Sequence, residues 1–113
     1  MARPLRRLVS RGDVYLVELN PTRGSEIHKT RPCLVVSPDE MNHHLRTVIV
    51  APMTTGGHVY PTRIACRFRR TLGHIVLDQV RTVDSERLLK FLGAIAPPIL
   101  ASVLGALRAM FAD

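Results

Sequence analysis

The sequence contains no tryptophan, only two cysteines and no long apolar run. Cys33 and Cys66 lie in apolar segments typical of strands, where a lone cysteine is usually a small buried hydrophobic residue. We therefore expect neither a structural disulfide nor a metal site at these positions. No apolar run reaches about 18 residues, and the apolar part of the N-terminal segment MARPLRRLVS is too short for a signal peptide. These absences predict a cytoplasmic protein with no membrane partner.

Lysine is also scarce, although the chain is strongly basic. Sixteen residues are Lys or Arg against nine Asp or Glu, the formal net charge is +7, and the only lysines are Lys29 and Lys90. Arginine carries a planar, permanently charged group that suits phosphate. This balance therefore suggests a polyanionic partner, either a nucleic acid or an acidic protein segment. A genome that favours arginine over lysine would explain the same composition without a partner.

A chain of 113 residues is long enough for one compact domain. We assign residues 1–10 to a basic N-terminal arm and residues 11–113 to the domain. Segments rich in β-forming residues predict five strands, at residues 13–19, 33–37, 47–53, 62–68 and 74–83. Residues 38–44 are predicted to form one helical turn, residues 69–73 a turn, and residues 87–95 either a strand or a helix.

The C-terminal segment is predicted to be a helix. Pro97 and Pro98 suit its first turn, and the apolar residues that follow lie at helical spacing on one stripe. The stripe consists of Ile99, Leu100, Val103, Leu104, Leu107, Met110 and Phe111. Strands followed by a single helix predict a mainly β (α+β) fold, a small antiparallel barrel that the helix covers on one side.

Three segments in order carry a resemblance to a known family. They are RGDVYLVELNPTRGSEIHKTRPCLVVSP, VAPMTTGG and LDQVRTVDSERL. Together, over roughly residues 11–112, the chain resembles the MazF/PemK/Kid family of toxin ribonucleases. The resemblance implies an SH3-like barrel with a C-terminal helix, a homodimer, and cleavage of single-stranded mRNA without a metal or other cofactor. It also implies a cognate antitoxin, and we expect an acidic, apolar tail of that antitoxin to compete with RNA for a basic groove.

Cleavage of RNA needs no protein nucleophile, because the 2′-hydroxyl can attack the adjacent phosphorus and leave a 2′,3′-cyclic phosphate and a 5′-hydroxyl. Such a site needs a proton acceptor, a proton donor and fixed donors for the phosphoryl oxygens. Arg31 precedes Pro32 at the start of a strand predicted to be buried, and Thr54 ends the third strand. By resemblance, Arg31 and Thr54 are the matched catalytic positions. Glu26 and Asp78 are the carboxylates placed to assist, and the assignment of acid and base stays open.

One branch of the family is described with an Asp, an Arg and a His sharing the chemistry. Here only Asp78 matches, because Val76 and Ser25 occupy the other two positions, so that scheme does not transfer. Gly56 and Gly57 would let the backbone approach the substrate closely. Further RNA contacts are expected from Arg23, Ser25, Lys29, Thr55, His58, Gln79 and Arg81.

Several of these residues have structural alternatives. The Gln79 amide can pair with a base edge or satisfy backbone groups, and Arg81 can bind phosphate or pair with Asp78 or Asp84. For Lys29 and Arg23, a solvated basic loop is as good an interpretation as RNA binding. The basic turn at residues 67–71 is expected to be solvated, and RNA contact is the second interpretation.

The histidines and the overall function also leave alternatives. His28 and His58 lie in the two loops of interest, where either can act as an acid or a base. The neighbouring His43 and His44 cannot easily share one metal ion, so no metal site is expected. The alternative function is a non-catalytic nucleic-acid-binding module, or a poison of a DNA-handling enzyme such as gyrase, on the same barrel.

Overall fold

The structure is a computed structural model that describes residues 8–56 and 58–113. Residues 1–7 of the expected basic arm, and Gly57, lie outside this part of the chain. Within it, seven strands and two helices follow one another along the chain. Their bounds are β1 Asp13–Glu18, β2 Thr30–Val35, α1 Asp39–His44, β3 Thr47–Thr54, β4 Arg63–Phe68, β5 Thr71–Val76, β6 Arg81–Asp84, β7 Leu88–Ala94 and α2 Pro97–Met110.

The strands form one curled antiparallel sheet in the order β4-β5-β3-β2-β1-β7, with β6 paired to β3. β3 is the centre of this arrangement. It pairs with β2 on one side, and on the other side with β6 at its beginning and β5 at its end. The sheet therefore bends around β3 into a half-barrel. The predicted mainly β fold with one C-terminal helix is confirmed.

Two apolar clusters lie on the two faces of the sheet, because successive side chains of a strand point to opposite faces. The first includes Val14, Leu34 and Ile75, and Val103 of α2 is fully buried against it. The second includes Val17, Cys33, Val35 and Val50. Both cysteines are buried, as predicted. The stripe on α2 is shorter than expected, because Phe111 follows the end of the helix and is 75% exposed.

The predicted single strand at residues 74–83 is wrong. β5 pairs with β3 through Met53↔Ile75, and a continuous ladder would then set Val50 opposite Asp78. Val50 instead pairs with Arg81, three residues later, and the three extra residues form a 3-10 helix, Leu77–Gln79. The chain makes this turn because β5 and β6 pair with different parts of β3.

Other differences concern element boundaries. The predicted turn at residues 69–73 is too long, since β5 already begins at Thr71 and only Arg69 and Arg70 connect it to β4. β2 begins at Thr30, so Arg31 and Pro32 belong to the strand. The ambiguous segment at 87–95 forms β7, and the predicted helical turn forms α1. Among the described residues, neither helix is both long and apolar enough to cross a bilayer.

Candidate functional site

A cavity of about 290 Å³, here called groove A, lies where β2, β3 and β5 end or begin. Its polar lining consists of Arg31, Thr54, Thr55, Arg69, Thr71 and His74. Its apolar lining includes Pro32, Met53, Phe68 and Leu92. Groove A thus joins arginine and hydroxyl side chains to an apolar wall, a combination that suits a nucleotide with its phosphate and its base.

The register of the sheet brings Arg31 and Thr54 together. The last pair of the β2–β3 ladder is Cys33↔Pro52, and Arg31 and Thr54 follow it on the two strands at this same end of the ladder. Both side chains line groove A. Two residues separated by a helix and most of two strands in the sequence therefore line one cavity.

The Arg31 side chain is partly buried, and one of its guanidinium nitrogens makes a hydrogen bond to the backbone. Its Nε donates to the backbone carbonyl of His28 at 3.4 Å, a long hydrogen bond. No other hydrogen bond or ion pair of its guanidinium is found among the described residues. Pro32 disfavours a helical backbone at Arg31, which agrees with the extended conformation of β2. The two terminal nitrogens of this positioned guanidinium are therefore available to an anion.

Thr54 is held between its own loop and β5. Its Oγ1 donates to the carbonyl of Gly56 at 3.1 Å, and its backbone pairs with His74 of β5. Gly73 makes this approach possible, because a Cβ atom there would lie 2.0 Å from the Thr54 carbonyl oxygen. The absence of a side chain at residue 73 thus allows β5 to lie close to the Thr54 backbone.

The charged side chains in the described lining of groove A are all positive. Its described lining includes Arg31 and Arg69 and no carboxylate. Arg69 and Arg70 form the two-residue turn between β4 and β5 with φ angles of 50° and 66°. Such turns favour Asn-Gly because both residues are left-handed, and arginine there carries a steric cost. The turn therefore keeps a charged side chain beside groove A in spite of that cost.

A second cavity of about 400 Å³, here called groove B, adjoins groove A at the end of β3. Pro52 lines groove B, while the next two residues, Met53 and Thr54, line groove A. The polar lining of groove B consists of Glu26, Asp78, Gln79 and Arg81. The predicted site residues are thus divided between two neighbouring grooves, with both carboxylates in groove B.

The Asp78 carboxylate is bound by the side chains of Arg63 and Thr62. Its two carboxylate oxygens accept from Nε and Nη2 of Arg63, each at 3.1 Å, and Thr62 Oγ1 donates at 3.1 Å. The hydrogen bond from Arg63 lowers the pKa of Asp78 below its ordinary value, and the bond from Thr62 acts in the same direction. The guanidinium of Arg81 instead donates to the carbonyl of Leu19 at 3.0 Å. Asp78 is thus an ionised carboxylate whose ion-pair partner is Arg63.

Gln79 attaches the first loop to the 3-10 helix. Its Oε1 accepts from the backbone N–H of Ile27 at 2.6 Å, and its Nε2 donates to the Ser25 carbonyl at 3.2 Å. In the same loop, Glu26 Oε1 accepts from the backbone N–H of Arg23 at 2.5 Å. Both side chains hold the loop in shape in this structure, which is the backbone-satisfying arrangement considered for Gln79.

Residues 10–111 match the family model of the PemK-like, MazF-like toxin of type II toxin-antitoxin systems. The chain belongs to this family. A relative named Endoribonuclease PemK, from Escherichia coli, is 39% identical over 105 residues, which cover 88% of this chain and 79% of the relative.

Solved structures of the family show the same fold. MazF from Deinococcus radiodurans superposes with a TM-score of 0.82 at 24% identity, covering 93% of this chain and 97% of that one. An endoribonuclease in complex with its cognate antitoxin, from a mycobacterial species, has a TM-score of 0.74 at 25% identity, covering 92% of this chain and 93% of that one.

The remaining expected RNA-contact residues of this PemK-like chain are exposed. Thr55 lines groove A, whereas Arg23, Ser25, Lys29 and His58 line neither groove among the described residues. The backbone N–H of Lys29 donates to Asn20 Oδ1 at 3.1 Å. No group of three or more His, Cys, Asp or Glu residues in the described part of the chain is arranged to hold a metal ion.

Sequence reasoning misses Arg69, Thr71, Gly73 and His74 among the residues that line groove A. It predicts a mainly solvated turn at the first of these residues and assigns no role to His74. The unusual pair of arginines in a two-residue turn was the available signal for Arg69. No local signal marks Gly73 or His74, because their position beside Thr54 depends on the β3–β5 register.

Proposed function

We propose that this chain is an endoribonuclease toxin that cleaves single-stranded mRNA in groove A and so slows translation. The observation that carries the proposal is the convergence of Arg31 and Thr54 in a cavity whose described lining includes two arginines and no carboxylate. The 39% identity to a protein named Endoribonuclease PemK supports it. The same convergence disfavours the non-catalytic alternative, since a binding module needs no such pair.

The proposed reaction uses the 2′-hydroxyl of the RNA as the nucleophile. The scissile phosphate lies between Arg31 and Thr54, with the Arg31 guanidinium on its non-bridging oxygens. As the P–O2′ bond forms, negative charge grows on these oxygens, and a fixed cation in a partly enclosed site stabilises it. The Thr54 hydroxyl exchanges its bond to Gly56 for one to the phosphate. Arg31 acts as an electrostatic stabiliser, because arginine does not deprotonate in proteins.

The sequence-based roles of the groove B residues stay predictions. Glu26 and Asp78 would assist proton transfer, and Gln79 and Arg81 would contact the RNA beyond the scissile phosphate. Groove B adjoins groove A at the end of β3, so a strand bound in one groove can continue into the other. The exposed residues of the flanking loops would then contact the same strand, namely Arg23, Ser25, Lys29, Thr55 and His58.

The decisive experiment measures cleavage of a long RNA in EDTA. We expect cutting to continue in chelator and to leave 5′-hydroxyl ends, which mapping would assign to a short motif. Arg31→Ala should reduce the single-turnover rate by about 100–1,000-fold, the usual loss for one donor to a developing oxyanion. Arg46→Ala removes the same charge at an exposed position next to the opposite end of β3, so it serves as the matched control.

Three results would contradict the proposal. Cleavage that stops when EDTA is added would exclude the metal-independent reaction. An Arg31→Ala protein as active as wild type would remove groove A from the chemistry. RNA binding without any cleavage by the wild-type protein would support the non-catalytic module.

We further propose that the chain is a cytoplasmic homodimer inhibited by a cognate antitoxin. The basic and apolar lining of groove A suits an acidic, apolar tail that becomes ordered on binding. The mycobacterial relative solved with its antitoxin supports such a partner. A structure of the complex in which groove A stays open would contradict competition with RNA, and sedimentation as a monomer would contradict the dimer.

A further inference from the structure

His74 of β5 lies beside the two proposed catalytic residues. It pairs with Thr54 of β3, and Arg31 of β2 lies at the same end of the β2–β3 ladder as Thr54. All three side chains line groove A. Adjacent strands are about 4.8 Å apart, so the Thr54 and His74 side chains start from neighbouring backbone positions. A phosphodiester held by Arg31 and Thr54 is therefore within reach of the imidazole.

The imidazole of His74 makes no hydrogen bond to the residues that the structure describes. Its Nδ1 is buried and has no hydrogen-bond partner among these residues. Buried polar side-chain atoms in native proteins nearly always have a partner, and a catalytic role is one recognised explanation for an exception. A valine or threonine would suit this strand position without leaving a polar atom unsatisfied.

The charged side chains that share groove A with His74 are arginines. The titratable groups that share groove A with it are Arg31 of β2, Cys66 of β4 and Arg69 of the β4–β5 turn. Burial raises the pKa of the Cys66 thiol, so this group stays neutral, and among the described lining residues β3 contributes one polar side chain, Thr54. A bound phosphodiester would add a negative charge beside the two arginines.

We propose that His74 is the general acid of the cleavage reaction, an inference that rests on the proposed function. The 2′ oxygen forms its bond to phosphorus while the P–O5′ bond breaks, and the 2′ proton passes to solvent water, the transfer that Glu26 and Asp78 of groove B would assist. The electron pair of the broken bond stays on O5′, which takes the proton from the imidazolium. The products are a 2′,3′-cyclic phosphate, a 5′-hydroxyl and a neutral imidazole that solvent protonates again.

The test compares two substrates that differ in one atom. Both carry the mapped cleavage motif, and in the second a sulfur atom replaces the bridging O5′. A thiolate is a much weaker base than an alkoxide, so its departure needs no general acid. We expect His74→Gln to slow single-turnover cleavage of the oxygen substrate by about 100–10,000-fold. On the sulfur substrate the same variant should cleave within a few-fold of wild type.

Arg31→Ala is the reference variant, because it should be slow on both substrates. Equal slowing of His74→Gln on both substrates, or no slowing on either, would overturn the assignment of His74 while leaving the proposed function intact. An Arg31→Ala protein with full activity would instead refute the proposed function. If the His74→Gln protein unfolds below the assay temperature, His74→Phe takes its place, because phenylalanine keeps a planar ring without a ring nitrogen.

Discussion

Gly73→Ala should slow RNA cleavage by displacing Thr54, although it removes no functional group. A Cβ atom at residue 73 would lie 2.0 Å from the Thr54 carbonyl oxygen and 3.0 Å from its carbonyl carbon. Real Cβ atoms essentially never approach a heavy atom within 3.0 Å, so β3 and β5 must separate here by about 1 Å. Both neighbouring atoms belong to the backbone, so no side chain can rotate away.

A displacement of this size predicts a large loss of activity and a moderate loss of stability. A misplacement of about 1 Å in a catalytic group lowers rates by about 100-fold. Overpacking in a well-packed region costs roughly 1–3 kcal/mol of unfolding free energy. For a domain of this size, each kcal/mol lowers the melting temperature by about 4 °C. We expect a folded protein with greatly reduced cleavage.

The assay is single-turnover cleavage of a short RNA with the mapped motif, together with thermal unfolding followed by circular dichroism. Gly105→Ala is the matched control, because its Cβ would meet only the Arg108 Nη2 atom at 3.8 Å, and no residue of α2 is in the described lining of groove A. Thr54→Ala completes a double-mutant cycle. If Gly73→Ala acts through the Thr54 hydroxyl, the double variant should be no slower than Gly73→Ala alone. A folded Gly73→Ala protein that cleaves RNA at the wild-type rate would refute the reasoning.

Two further predictions concern groove B. Gln79→Leu removes the acceptor of the Ile27 N–H, so hydrogen exchange there should become roughly fivefold faster, the effect of about 1 kcal/mol. Gln79→Glu keeps an acceptor and should protect Ile27 better than Leu, and equal exchange in wild type and Gln79→Leu would contradict the proposed attachment. Because Arg63 lowers the folded-state pKa of Asp78, this carboxylate stabilises the fold above its unfolded pKa of about 4, and the contribution disappears as the pH falls through the folded value. The melting temperature of Asp78→Asn should therefore lie below that of wild type at pH 6 and approach it below pH 4, whereas a difference independent of pH would exclude this ion pair as the cause.

The two residues singled out for catalysis illustrate what local sequence can and cannot establish. By resemblance, Arg31 and Thr54 are the matched catalytic positions, and both line one cavity. Glu26 belongs to the same segment as Arg31 and Asp78 to the third segment, yet both line groove B and already accept hydrogen bonds. Motif membership places a residue near the site, whereas the hydrogen-bond partners of its side chain depend on residues such as Arg63 that no motif includes.

The amino-acid sequence alone determined the family, the order of most strands, the C-terminal helix and the excess of positive charge. These properties depend on residue type and on the spacing of residues a few positions apart. Both can be read from the sequence without knowledge of the fold. The tertiary structure alone decided that Arg31, Thr54 and His74 line one cavity, that Gly73 lies against Thr54, and that a 3-10 helix divides β5 from β6. These features depend on which strands pair and in what register. The register is specified because both faces of the sheet bury apolar side chains, which come from residues far apart in the chain.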